Sequence, residues 1–218
     1  MKKQKNYEKE YHLKRHNYLH EDENYYMARA KVAREQYFKD TVKTKEKVLE
    51  YGCGLGQNIS LINGAVGYDN SKFASNFCNK KGINIIKSIK EIKDGSFDVV
   101  LCCEVLEHVE QPLKILKEIN SKLKKGGRLI LVLPIEKEKQ PQPSDFNQHL
   151  YSWKPQSITN LLLRVGFYPI NYKTLRRTGF RKWLFLSKAG FFRLYLFFTW
   201  LSAIIFGSKH MRIISIKK

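Results

Sequence analysis

The chain has 218 residues, 43% of them hydrophobic, with a formal net charge of +20 and no internal repeat or low-complexity tract, which suits one α/β domain with appendages. Its four cysteines, Cys53, Cys78, Cys102 and Cys103, fall in or beside apolar segments and two are adjacent. That argues against a disulfide-stapled scaffold and for a reducing cytosol, and Met1 to Glu8 lacks the apolar region of a secretory signal.

The first 45 residues are polar, basic and rich in tyrosine, with a helix expected where Tyr25-Tyr26-Met27 leads into Ala28 to Arg34. Val48 to Tyr51 then reads as an apolar strand carrying Glu50 at its carboxyl end, followed by three glycines at alternate positions, Gly52, Gly54 and Gly56. Such a turn brings bare backbone against a nucleotide-like ligand, at the sheet edge where open α/β folds bind. Gln57 to Asn63 is expected as a short helix of about two turns. Ala65 to Tyr68 reads as the next strand and ends on Asp69, 19 positions after Glu50, the spacing of a ribose-binding carboxylate.

Ile83 to Ile86 and Val99 to Cys103 read as buried parallel strands, the second delivering Glu104-Val105-Leu106-Glu107-His108 to the same edge. Pro112 opens a helix through Leu113, Leu116, Ile119 and Leu123 that Gly126-Gly127 is expected to stop. A strand at Leu129 to Leu133 follows. Pro134 to Asp145, with prolines at 134, 141 and 143, is long enough for a substrate lid. Pro155 to Val165 reads as a helix, and Tyr168 to Thr174 and Met211 to Ile216 as strands. Alternation of this kind implies a parallel sheet covered on both faces.

The motifs VLEYGCGLG, VGYDNS, FDVVLCCEVLEHV, LKKGGRLILVLP and HLYSWKPQSITNLLLRVGF, in this order between Val48 and Phe167, resemble those of class I S-adenosylmethionine-dependent methyltransferases, in the group that includes the ubiquinone-type O-methyltransferases. The resemblance implies an α/β, Rossmann-like, mostly parallel seven-stranded sheet with helices on both faces, an antiparallel last strand and a helical apolar insertion before it. It implies a cap over residues 1–45 and a methyltransferase domain over 46–218, with residues 175–209 as the insertion. It places Glu50, Gly52, Gly54 and Gly56 at the methionine end of S-adenosyl-L-methionine and Asp69 with Asn70 at its ribose. Cys103 and Glu104 belong to the same cofactor edge. The family's adenine-contacting acid is replaced by Ser88, so adenine contacts fall to backbone around Ser88 and Ile89. Arg29 or Arg34 is a candidate for the methionine carboxylate, with a plain surface role as the alternative. A nicotinamide site is disfavoured because no second nucleotide-binding half follows.

From Phe146 to Lys218 there are 13 Lys and Arg and no Asp or Glu. This one-sided field suits an anionic membrane surface or a nucleic acid. The apolar run Phe191 to Phe206 beside it favours the membrane, and the longest charge-free stretch of this region, Leu194 to Ser208, is 15 residues, short of the about 20 a spanning helix needs. Docking in the interfacial plane is the leading expectation, with burial against the domain or a second copy and, as the lesser reading, a span as the alternatives. Peripheral attachment at the inner face of the membrane follows from the first.

For the chemistry, Glu104, Glu107 and His108 share one face if their segment is helical. The E-x-x-E-H pattern resembles the place where ubiquinone-type enzymes hold a divalent cation such as Mg, with helix capping as the alternative. His149, before Leu150-Tyr151-Ser152-Trp153, resembles a family histidine near the substrate mouth, and it and His108 are the candidate catalytic residues. Cys103 reads as a small buried hydrophobe before it reads as a nucleophile. Cys102-Cys103-Glu104-Val105 replaces the D/N-P-P-Y/F run of enzymes that methylate nucleic-acid amino groups. The expected activity is O-methylation of a small-molecule, lipid, quinone or lipid-linked sugar hydroxyl; an RNA methyltransferase and a catalytically silent membrane adaptor are the rivals.

Overall fold

The computed structural model describes residues 9–136 and 149–218, with only the backbone of residues 14–16. Two helices lead, α1 (Lys9–Glu21) and α2 (Glu23–Ala33). Asp22 caps α2 by accepting from the Tyr25 backbone N–H at 3.1 Å. The chain then forms β1 (Val48–Tyr51), β2 (Val66–Tyr68), α3 (Lys72–Lys80), β3 (Asn84–Ile86), β4 (Phe97–Cys103), α4 (Pro112–Lys122) and β5 (Leu123–Pro134). After His149 come α5 (Pro155–Arg164), β6 (Phe167–Leu175), α6 (Leu184–Lys188), α7 (Phe192–Phe206) and β7 (His210–Lys217).

The seven strands lie in the order β3-β2-β1-β4-β5-β7-β6. Strands β1 to β5 pair in parallel, and β7 runs antiparallel between β5 and β6. This is the Rossmann-like methyltransferase sheet that the motif order implied. The centre is made where side chains are apolar on both faces: all four residues of β1 are buried, and Val99 to Cys102 in β4 are fully so. One core layer packs Leu116 and Ile119 of α4 and Ile158 and Leu162 of α5 against one face; Ala33, Tyr37 and Phe38 cover the other.

Two expected helices change. Gln57 to Asn63 forms successive turns, because its hydrogen bonds are mostly three-residue closures such as Ile62 N–H to Ile59 C=O and the Asn58 side chain is drawn inward to Glu50. Helix α4 stops at Lys122, four residues before Gly126. Leu123 turns extended, buries its side chain and pairs with Phe97, so β5 starts there.

Among the described residues no helix is long and apolar enough to cross a membrane. The 175–209 segment forms α6 and α7 between the paired strands β6 and β7. Its Leu184 and Tyr195 bury against Ala28 and Val32 of α2, so the insertion and the leading helices share one small core. The expected lid falls largely on residues 137–148, outside the described residues.

Candidate active site

The glycine turn works by three different means. Gly52 has φ +75°, and a Cβ there would stand 2.4 Å from Val105 Cγ2. Gly56 is closed off in the same way, by Ile83 and Cys78. Only Gly54, φ +51°, faces open space, its nearest neighbour to a built Cβ being His12 Cε1 at 3.9 Å. The outer two glycines therefore serve packing, and the middle one leaves room for a ligand.

Asp69, just past β2, holds this turn. Its Oδ2 accepts from the Gly54 N–H at 2.8 Å and its Oδ1 from the Ser71 N–H at 2.8 Å. Gly52 and Cys53 both donate to the Tyr68 carbonyl, at 2.8 and 3.0 Å. The Tyr26 hydroxyl donates to the Leu55 carbonyl at 3.1 Å, which ties α2 down onto the turn.

Around these groups lies a cavity of about 960 Å³ at the carboxyl ends of β1, β2 and β4. Of the anticipated cofactor residues it gathers Gly52, Gly54, Asp69, Asn70, Cys103 and Glu104; Glu50, Gly56, Ser88 and Ile89 are not part of its lining. Ser88 caps a single 3-10 turn through Lys90, and Ile89 is core. Arg29 lines the cavity, with its guanidinium 4.0 Å over the Phe180 ring, whereas Arg34 is exposed and stands outside that lining. Burial holds the Cys103 thiol, and with it the charge of Glu104, well above the ordinary range, so it stays protonated and is a poor nucleophile.

Glu50 is fully buried. Its Oε1 accepts from Asn58 Nδ2 at 2.6 Å, and its Oε2 has no partner among the described residues. Burial raises its pKa from 4.5 to about 8; the Asn58 hydrogen bond opposes the rise and the Asp69 charge adds to it. Between about pH 4.5 and 8 the folded chain thus holds a proton the unfolded chain has released, and this contribution to stability, complete at low pH, is lost as pH rises. Without cofactor, Glu50→Gln is expected to flatten the fall in urea-unfolding stability from pH 5 to pH 8. Equal slopes in wild type and variant would refute the assignment. Glu107, also raised to about 8, keeps its own share of the slope.

The chemical end of the cavity lies past β4. Glu104 to Val109 is a turn rather than a helix: Glu104 adopts φ +55°, and the His108 N–H donates to Val105 C=O at 3.0 Å. The expected single face of Glu104, Glu107 and His108 is therefore not formed. Glu104 is directed to His210 at the start of β7, 3.0 Å away. Glu107 and His108 are instead joined by His149, their ligand atoms all within 4.8 Å of one another, and the two imidazoles meet edge to face at 4.6 Å. The Leu150 N–H donates to the Glu107 carbonyl at 2.7 Å, which fixes the returning chain beside this turn.

Glu107 is 1% exposed with neither carboxylate oxygen hydrogen bonded among the described residues. Burial first, then the charges of Glu104 and Glu136, keep its carboxyl neutral at pH 7. His149 Nδ1 lies 2.5 Å from Glu136 Oε1. A carboxylate only accepts, so Nδ1 carries a proton and the ring presents Nε2 to the cavity.

Sequence reading missed several lining residues. Arg177, Thr178, Phe180 and Phe206 to His210 come from the insertion and its flanks, and Tyr11, His12 and Tyr18 from α1. The one available signal was position: Glu136 and His210 directly follow and precede apolar strand runs. The cavity lining holds the acids Asp69, Glu104, Glu107, Glu110 and Glu136, of which Glu107 is held neutral, and the bases Arg29, Arg177 and Lys209, so the positive excess of the chain as a whole is absent from it.

Comparison with known proteins agrees with this architecture. A methyltransferase domain family matches residues 18–172. An uncharacterized protein of Methanocaldococcus jannaschii is 31% identical over 134 residues, covering 56% of this chain and 65% of that protein. The ubiquinone biosynthesis O-methyltransferase of Xanthomonas euvesicatoria is 33% identical over 101 residues, covering 39% of this chain and 41% of the enzyme. The chain thus spans less than two thirds of either relative. Among solved structures, the 1,6-didemethyltoxoflavin-N1-methyltransferase of Burkholderia thailandensis, bound to 1,6-didemethyltoxoflavin and S-adenosylhomocysteine, superposes with a TM-score of 0.58 at 16% identity over 95% of this chain and 84% of its own. With the family match covering residues 18–172 and the strand order in place, the chain belongs to the class I S-adenosylmethionine-dependent methyltransferases.

Proposed function

We propose that this protein transfers a methyl group from S-adenosylmethionine to a hydroxyl of a lipid, quinone or lipid-linked sugar at a membrane surface. The observation that carries the chemical part is one cavity that joins an unobstructed Gly54, the Asp69 carboxylate and a Glu107–His108–His149 cluster. The carboxylates of Asp69 and Glu104 in this lining suit a sulfonium bearing an amino group.

When bound, the cofactor supplies an electrophilic methyl carbon. Gly54 would give room beside its methionine part, and Asp69 would accept from its ribose hydroxyls. On the acceptor side, His149 Nε2 takes the hydroxyl proton while Glu136 holds the ring in that tautomer. The proton would stay on the His149 imidazole, and the bound sulfonium would supply the methyl group and leave as the neutral thioether. Holding acceptor and donor in line contributes most of the acceleration.

The same cluster fits a cation: two imidazoles and one carboxylate suit a first-row transition metal better than magnesium, with Glu107 losing its proton on binding. Glu104, turned to His210, is not among those donors. Incubation of the protein with radiolabelled S-adenosylmethionine and fractionated cell extract is expected to label the lipid fraction. Label in RNA alone, or none in any fraction, would reject the proposal. In the same assay, activity unchanged by a chelator would remove the cation and leave His149 as the base.

A further inference from the structure

Helix α7 is apolar on both sides, with Phe192 and Leu196 packing beside Tyr195 against the core it shares with α2. Its inward side consists of Tyr195, Thr199, Ser202 and Ala203, all buried, with Trp183 Nε1 donating to Ser202 Oγ at 2.9 Å and Thr199 Oγ1 to the Leu196 carbonyl at 3.0 Å. Its outward side consists of Leu194, Phe197, Trp200, Ile204, Ile205 and Phe206, and the last two are 69% and 67% exposed. Phe185 of α6 and Phe191 extend the same exposed apolar surface. A helix packed on a water-soluble domain keeps its outward face polar, so this exposed apolar face calls for an apolar partner.

Charge selects the partner. Lys182 and Arg193 are exposed beside these side chains, Lys188 is exposed with Asp22 of the leading segment 3.8 Å away, Lys209 follows α7, and no acid occurs from Phe146 to the last residue. Two copies meeting through this surface would press identical cationic rims together. An anionic bilayer offers both an apolar layer for the aromatic and aliphatic side chains and negative headgroups for the lysines and arginines. At 15 residues α7 is too short to cross and suits the interfacial plane.

The surface also meets the cavity. Phe206 belongs to the exposed apolar face and, with Gly207, Ser208 and Lys209, to the cavity lining. We infer that α6 and α7 form an anionic-bilayer docking element whose carboxyl end opens the active-site cavity onto the lipid, so that the acceptor is an amphiphile delivered from the bilayer with its hydroxyl leading. This rests on the proposed methyl transfer and names the source of its acceptor. The element is anchored to the cofactor side: Leu184 and Tyr195 pack on α2, Arg181 bonds the Tyr18 hydroxyl of α1, and Tyr25 and Arg29 of α2 line the cavity.

The test is flotation of the full chain with phosphatidylglycerol–phosphatidylcholine vesicles and with phosphatidylcholine alone at physiological salt. Wild type is expected to bind the anionic vesicles at least about tenfold more tightly, and the double variant Phe197→Ser/Ile205→Ser, which alters only exposed side chains, to lose about tenfold or more. Calorimetry of S-adenosylmethionine binding, expected to be equal in both proteins, separates the two claims. Cofactor binding without vesicle binding overturns the docking element and leaves the methyltransferase reading; vesicle binding without cofactor binding does the reverse. Overturning results also include vesicle binding retained by the double variant. A concentration-dependent dimer that the variant abolishes, with no vesicle binding, assigns the surface to a second copy.

Discussion

Asp69→Ala is expected to raise the dissociation constant for S-adenosylmethionine by about 10- to 100-fold, since a lost charge-assisted hydrogen bond costs about 1.5–3 kcal/mol and each 1.4 kcal/mol is a factor of ten. Two losses act together. The ribose hydroxyls lose an ionised acceptor, and the Gly54 and Ser71 N–H groups lose the carboxylate that holds the turn and starts α3. Asp69→Asn divides the effects. An amide keeps one acceptor oxygen and opposes one of the two N–H groups with its own, so it should restore part of the stability while affinity stays low. Calorimetry gives the affinity and thermal unfolding gives the stability. An unchanged dissociation constant in a folded Asp69→Ala protein would remove the carboxylate from the cofactor site.

His149→Ala is expected to lower kcat by about 10²- to 10⁴-fold, the usual range for a positioned general base, with cofactor affinity unchanged. The ring is set from three sides: Glu136 at Nδ1, His108 at 4.6 Å, and Glu107 through the backbone bond of Leu150. Glu136→Gln should cost less. An amide can still accept from Nδ1, but it no longer stabilises the imidazolium that forms, so the loss should appear in kcat rather than KM. Should His149→Ala retain full turnover of its acceptor, proton abstraction by this residue is excluded. If Glu107→Gln matches the loss and chelator does too, the three side chains act as a cation site instead.

Local physics explains which features were legible in the sequence. The strands at Val48 and Val99 are continuous apolar runs, and a parallel strand buried on both faces looks that way in sequence. The glycines at 52, 54 and 56 announced a tight turn because no other residue takes their dihedrals cheaply. The errors came where a side chain chose a distant partner over its local helix. Asn58 turned to Glu50, Leu123 joined Phe97, and Glu104 adopted a left-handed dihedral and faced His210, which dispersed the E-x-x-E-H face. Periodicity contains no information about such contacts.

Legible in the chain alone were the α/β class, the glycine turn at the sheet edge with Gly54 and Asp69, and the concentration of positive charge after Phe146, because each is written in residues close together. Packing settled that His149 rather than Glu104 completes the cluster with Glu107 and His108, that the insertion walls the cavity, and that α7 buries Tyr195, Thr199 and Ser202 while leaving Phe197, Ile205 and Phe206 exposed. Which side of a helix finds a partner depends on what packs beside it, and for α7 that was α2, more than 150 positions earlier in the chain.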